Sequence, residues 1–203
     1  MRKVALAAVL GVGLAASGVA LADPWNDPSG RFTFNAPSGW QVQRQNGPPT
    51  QTIVLAFNAA NDCYFFGVDN PNTAERTPNE ARNATTPISS EAWVAAATPI
   101  RDFFEGQPAT LVSQSVDTSG FWPVQRAELR GPRKTVYAAV LARPGVEIRA
   151  FCSGSSSAAS YDPIFASLGH PNDATWRGAA EQQMADRAAA AAAAQQPQQP
   201  PAQ

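Results

Sequence analysis

Short runs of alternating or continuous hydrophobic residues recur along the chain and predict a fold rich in β-strands. Residues 31–37 and 40–44 alternate between hydrophobic and polar positions, with Phe32, Phe34 and Ala36 on one side of the first run. A Pro-Ser-Gly segment separates the two runs, which predicts a β-hairpin. Six further runs predict strands at 52–57, 63–68, 111–116, 124–129, 135–142 and 146–152. The first two of these six are continuously apolar, which is typical of central strands covered on both faces.

Two stretches within this pattern carry helix signals. One begins at Ser89 or Ser90, whose hydroxyl can cap free backbone amides, and Pro99 divides it from a second segment that ends at Gly106. The other is a stripe whose i, i+3, i+4, i+7 spacing predicts a helix with its apolar face on the sheet. Its members are Tyr161, Ile164, Phe165 and Leu168.

A change of composition after residue 171 predicts an extension of the domain. Asn172 or Asp173 can cap a helix that runs into the seven alanines of 188–194, and alanine has the highest helix propensity. Residues 196–203 are rich in Gln and Pro and are predicted to be disordered. Because strands joined by short turns pair antiparallel, the predicted class is α+β, with an antiparallel sheet of about six to eight strands, helices packed against it and a C-terminal Ala-rich helix.

The first 22 residues have the composition of a secretory signal peptide. Arg2 and Lys3 precede an uncharged stretch rich in Ala, Val and Leu that closes on Ala20-Leu21-Ala22, so cleavage is expected before Asp23. The predicted location is periplasmic or secreted. The expected organisation is a signal peptide at 1–22, one domain at 23–171, the Ala-rich helix at 172–195 and the tail at 196–203.

The charge balance argues against two classes of partner. Cleavage would leave 13 of the 15 basic residues against 16 acidic ones, a net charge near −3, whereas nucleic-acid binding requires a concentrated basic surface. The arginines are also scattered along the sequence. No apolar stretch after the signal reaches the length of about 18 residues that spans a bilayer, so no transmembrane segment is expected.

The two cysteines, Cys63 and Cys152, both follow the predicted cleavage site. An even number of cysteines in an oxidising compartment favours a disulfide between them. The alternatives are two buried free thiols and a redox pair, although the pair lacks the CxxC spacing of redox motifs.

Little in the sequence indicates catalysis. His170 is the only histidine and could act as a general base, but its position just after a predicted helix better suits a favourable interaction with the helix dipole. The Ser-rich run 153–157 lacks the GxSxG frame of a nucleophile and reads better as a linker or helix cap. We predict no catalytic residue, no metal site and no cofactor, because clustered Cys/His and EF-hand spacings do not occur.

Aromatic residues supply candidate binding residues. Trp40 and Trp93 fall in predicted regular elements and are expected to pack in the core. Phe121 and Trp122 fall in a predicted turn, where burial is less assured, and are the binding candidates. The polar segment 70–88 is long enough to be either functional or mobile.

Three segments resemble PsbP-like and DcrB-like domains. They are the opening Arg31-Phe-Thr-Phe-Asn-Ala-Pro-Ser-Gly-Trp40, the turn Ser119-Gly-Phe-Trp-Pro-Val-Gln-Arg126 and the closing Ile164-Phe-Ala-Ser-Leu168, and the order of elements over residues 28–169 is also similar. The resemblance implies a compact antiparallel sheet flanked by helices, used mostly to bind protein partners or as an envelope accessory module. It carries no catalytic motif that could be transferred to this chain.

The leading hypothesis is therefore an exported, non-enzymatic envelope protein that binds another protein. Segment 70–88 and the Phe121-Trp122 turn form its expected contact surface. A second hypothesis is a protein that binds a small molecule or a glycan in an aromatic cleft. The third is a hydrolase built around His170.

Overall fold

Antiparallel pairing organises most of the chain. The computed structural model describes residues 21–195. Within them are the strands β1 (Leu21–Asn26), β2 (Thr33–Pro37), β3 (Gln41–Gln45), β4 (Gln51–Phe57), β5 (Asn61–Asp69), β6 (Thr110–Asp117), β7 (Val124–Arg130), β8 (Thr135–Arg143) and β9 (Val146–Gly154). Seven of these strands form one sheet in the order β3-β4-β5-β9-β8-β7-β6, and β1 and β2 form a separate pair. The predicted α+β class is confirmed.

The helices begin where the sequence supplies caps or apolar stripes. They are α1 (Pro78–Arg82), α2 (Ser90–Ala96), α3 (Ala158–Ser167) and α4 (Asp173–Ala194), with 3-10 turns at Pro71–Thr73 and Thr98–Phe104. The Ser89 hydroxyl accepts a hydrogen bond from the Ala92 N–H at 3.2 Å and caps α2 as predicted. The apolar stripe predicted from Tyr161 onward is buried in and just after α3, and the predicted C-terminal helix is α4.

The predicted hairpin between residues 31–37 and 40–44 is wrong. β2 pairs with β1, whereas β3 pairs with β4. The reason lies in the two rings of the first run, since Phe32 and Phe34 are both fully buried and Phe34 stacks on Phe65 of the sheet at 4.0 Å. Burying these rings requires β2 to lie across the face of the sheet, where it cannot extend the sheet edge.

The sheet has an apolar core on each face. The β1–β2 pair and α3 cover one face, and α2 with the 3-10 turn at Thr98–Phe104 covers the other. Trp93 of α2 is fully buried as expected, and its indole N–H donates to Gln114 at 2.9 Å. Trp40 is half-buried against the first core. The strands between the two cores alternate their side chains from one core to the other.

The disulfide between Cys63 and Cys152 is confirmed. The two residues lie directly opposite each other in the β5–β9 pair, with Cα atoms 4.1 Å apart and both side chains fully buried. The bond therefore joins two central strands of the sheet.

Segment 70–88 contains regular structure. It holds the 3-10 turn at Pro71–Thr73 and α1, which begins with a capping box in which Thr77 and Glu80 satisfy each other's backbone N–H.

The predicted signal peptide falls almost entirely outside the described residues, as does the predicted tail at 196–203. Among the described helices, none is long and apolar enough to cross a membrane.

Candidate functional site

Phe121 lies in the turn between β6 and β7, with an arginine from each of two different helices against its ring. The guanidinium carbons of Arg82 in α1 and Arg177 in α4 are each 5.0 Å from the centre of the ring. Cation–π attraction at this distance stabilises both contacts. Phe121 thus connects segment 70–88 to the C-terminal helix.

Trp122 makes the corresponding contact with a buried arginine. Arg143, at the end of β8, lies over the Trp122 ring at 4.6 Å and is only 2% exposed. Its Nε and Nη2 atoms donate to the two carboxylate oxygens of Asp173 at 2.7 and 3.2 Å. Because Asp173 is the first residue of α4, this bidentate ion pair fixes the start of that helix to the sheet.

Together these residues form what we call the arginine–aromatic cluster: Phe121, Trp122, Arg82, Arg143 and Arg177. The Phe121 and Trp122 rings meet edge to face at 4.9 Å, and both side chains are half-buried. The cluster brings the predicted Phe121-Trp122 turn and the predicted 70–88 surface together, and it adds α4 to them.

Two further observations show that α4 is docked on the domain. Arg82 Nη1 is 2.8 Å from the Met184 sulfur, and Ala180, one turn before Met184, is 1% exposed. Residues 188–194 at the end of α4 are all exposed. The first part of the helix is therefore docked on the domain, and the alanine run extends from it.

A cavity of about 320 Å³ opens beside the cluster. Its polar lining includes Arg126, which donates to Asp162 at 2.8 Å, lies 3.7 Å from Asp117 and covers the Phe165 ring at 5.1 Å. Hydrogen bonds from the hydroxyl and backbone N–H of Ser119, helped by the charge of Arg126, lower the pKa of Asp117 below its ordinary value. The apolar lining consists of Phe121, Trp122, Val124, Leu141, Phe165, Ala166 and Leu168.

His170 occupies a structural position between α3 and α4. Its ring stacks on Trp176 with centres 4.4 Å apart, and its Nδ1 atom accepts a hydrogen bond from the Asn172 N–H at 3.0 Å. Burial lowers the pKa of His170, because desolvation disfavours the charged ring. With Nδ1 occupied in this way, the geometry gives no support to His170 as a general base.

The Ser-rich run also makes structural contacts. The Ser153 hydroxyl donates to the Thr135 carbonyl at 3.0 Å, and Ser157 stands at the N-terminus of α3. Among residues 21–195, no group of three or more His, Cys, Asp or Glu side chains is arranged to hold a metal ion.

The three arginines of the cluster are residues that the sequence analysis missed. Arg82, Arg143 and Arg177 are far apart along the chain, and no local spacing relates them to the Phe121-Trp122 turn. Scattered in sequence, they converge in space because α1, the end of β8 and the start of α4 meet at this turn. A fourth arginine, Arg126, lies on the neighbouring cavity wall.

Comparison with known proteins supports the fold. No family model matches the chain, and no curated protein matches it. A solved structure that is similar to it is the solution structure of cyanobacterial PsbP (CyanoP) from Synechocystis sp. PCC 6803, with a TM-score of 0.50 and 14% sequence identity over 81% of this chain and 98% of that one. A similarity at this level of identity shows the fold alone. The resemblance read from the sequence is thereby confirmed, and the chain has the PsbP-like fold.

Proposed function

We propose that this protein is an exported, non-catalytic accessory protein that binds another protein through the arginine–aromatic cluster and the adjoining surfaces of α1 and α4. The observation that carries the proposal is the contact of both Arg82 and Arg177 with the Phe121 ring. Arginine and large aromatic residues contribute most of the binding energy at many protein interfaces.

The way the cluster is held supports a binding role. Arg143 is fixed by Asp173, and Arg82 and Arg177 are held over the Phe121 ring. Side chains that are already ordered lose less conformational entropy when a partner binds. Within residues 21–195, Arg82 forms no ion pair with a carboxylate, so its charge remains available to a partner.

Two observations support export. The composition of residues 1–22 is that of a signal peptide, and the Cys63–Cys152 disulfide is stable in oxidising compartments. The proposed partner is therefore a protein of the cell envelope.

The test is chemical cross-linking in cells followed by affinity capture from the host envelope. Wild type is compared with the double variant Phe121→Ala, Trp122→Ala and with the control variant Phe103→Ala. Phe103 is a matched control because it is another half-buried aromatic residue whose ring makes a cation–π contact. A specific protein captured by wild type and Phe103→Ala should be lost with the double variant. Retention of that protein by the double variant would rule out the turn as the contact.

The cavity beside the cluster favours a second candidate function. It is lined by Trp122, Phe121 and Phe165 together with equal numbers of arginine and aspartate side chains, a setting that suits a small polar ligand with an apolar face, such as a glycan. Calorimetric titration with envelope oligosaccharides tests this function. Heat that disappears in Trp122→Ala would support it, and an absence of heat with wild type would eliminate those ligands.

A further inference from the structure

Strand β6 lies at one end of the seven-stranded sheet, and among residues 21–195 no other strand pairs with its outer edge. Residues 110–116 carry no charge, and Val112 is the large hydrophobic side chain that is most exposed among the described residues, at 45%. The opposite edge, β3, is only five residues long and carries the exposed Arg44. Charged residues, short strands and β-bulges protect sheet edges from pairing. β6 has a bulge at Val112, but the regular stretch that follows it carries no charge before Asp117, so residues 113–116 are less protected than β3.

The pairing geometry shows which backbone groups of β6 face outward. Each residue of an antiparallel strand directs its N–H and C=O to one neighbour, and successive residues alternate. The Cα separation of 4.1 Å marks Cys63 and Cys152 as a non-hydrogen-bonded pair, so the backbone groups of Cys152 face Tyr137 on β8. The backbone groups of Tyr137 therefore face β9 and point away from its partner Glu128 on β7. It follows that the backbone groups of Glu128 face β6, where they form a hydrogen-bonded pair with Ser113.

A direct hydrogen bond confirms this alternation. Continued along β7 and β8, the alternation requires Gly131 and Lys134 to form a hydrogen-bonded pair. The Gly131 N–H does donate to the Lys134 carbonyl, at 2.9 Å. Since Ser113 faces β7, the backbone groups of Gln114 and Val116 face outward, beyond the sheet.

We propose that two copies of this protein associate by antiparallel pairing of their β6 strands, centred on Ser115. In this register Gln114 of each copy lies opposite Val116 of the second copy, and each of these pairs can exchange both main-chain hydrogen bonds. Ser115 lies opposite its own equivalent, and Ser113 lies opposite Asp117, so no charge faces a like charge.

The β-bulge at Val112 selects this register. The regular β6–β7 pairing breaks between Leu111 and Ser113, which leaves residues 113–117 as the regular part of the strand. A pairing centred on Ser115 uses all of this part in both copies. The two-fold symmetry closes the assembly at two copies, because each copy offers one β6 edge.

The experiment is sedimentation velocity of the purified protein over a concentration series. The average mass of wild type should rise from that of one chain toward that of two. Ser115→Asp and Ser115→Lys each place like charges opposite each other at the symmetry axis and should remain monomeric, whereas their equimolar mixture should associate again through opposite charges. Thr110→Asp, on the same strand before the bulge, is the matched control and should behave as wild type.

Val116→Pro provides an independent variant, because it removes an outward N–H and leaves the N–H groups that β6 donates to β7 in place. It should also remain monomeric, and thermal unfolding checks that each variant is folded. Wild type that stays monomeric at every concentration would overturn the proposal. So would association that persists in both charged variants, or a mixture of the two that fails to associate.

Discussion

Arg143 and Asp173 form the most deeply buried ion pair of the described residues, with side chains 1% and 23% exposed. Asp173→Asn would leave the guanidinium buried over Trp122 without a carboxylate. We expect the free energy of unfolding to fall by about 2 to 3 kcal/mol, less than for a fully enclosed pair because Asp173 retains contact with water.

Urea unfolding measures this loss, with Glu181→Gln as the control. The Arg177–Glu181 pair is about half exposed on both sides, so its removal should cost roughly 0.5 kcal/mol or less. Equal losses in the two variants would contradict the role given to Arg143.

His170 should make stability depend on pH. Its pKa in the folded protein lies below the ordinary value of 6.5, so between these two pKa values the unfolded chain binds more protons than the folded protein. The contribution of neutral His170 to the free energy of unfolding is therefore complete above pH 6.5 and is lost as the pH falls through the lowered pKa. Melting temperatures measured from about pH 8 to pH 5 should decline in wild type and decline less in His170→Gln. Identical profiles would show that His170 does not contribute.

At the scale of elements, α4 is a docked helix whose two halves have different roles. The first half supplies Arg177 to the cluster and Asp173 to the ion pair with Arg143, whereas the alanines of 188–194 make no buried contact. A chain that ends at Asn172 should stay folded, because the two sheet cores contain no residue of α4. It should melt at a lower temperature and bind a hydrophobic dye at the uncovered Phe121 and Trp122 rings.

A chain that ends at Arg187 is the matched control for this truncation. It keeps every α4 contact described above and should match wild type in melting temperature and dye binding. Loss of stability in this shorter truncation would mean that the alanine run contributes to the fold.

The same elements show how far local pattern determines structure. Ser89 and the stripe from Tyr161 predict α2 and α3 correctly, because caps and helical spacing act within a few residues. The β2–β3 hairpin was predicted wrongly, since alternation in Phe32 and Phe34 shows that one side is buried but cannot show which surface buries it. Helix α1 was missed although Thr77 and Glu80 form a capping box that is visible in the sequence.

The arginine–aromatic cluster could not be predicted in the same way. Phe121 and Trp122 were identified from their place in a turn, but their partners come from α1, β8 and α4. The packing of three elements creates the site, and no spacing in the sequence records that packing.

For the whole molecule, the disulfide should be the largest single covalent contribution to stability. It closes a loop with a sequence separation of 89 residues, and the chain-entropy model assigns such a loop roughly 4 to 5 kcal/mol. Replacing both cysteines with Ala should lower the free energy of unfolding by up to this amount in denaturant titrations. A loss below about 1 kcal/mol would show that the unfolded chain is little restricted by the bond.

The position of that bond also determines what a protease can release. Segment 70–88, the Phe121-Trp122 turn and strand β6 all lie between Cys63 and Cys152, so a single backbone cut in any of them leaves both fragments covalently attached. These three segments can thus be nicked without loss of either piece. Such a molecule would run as one band on a non-reducing gel and as two after reduction.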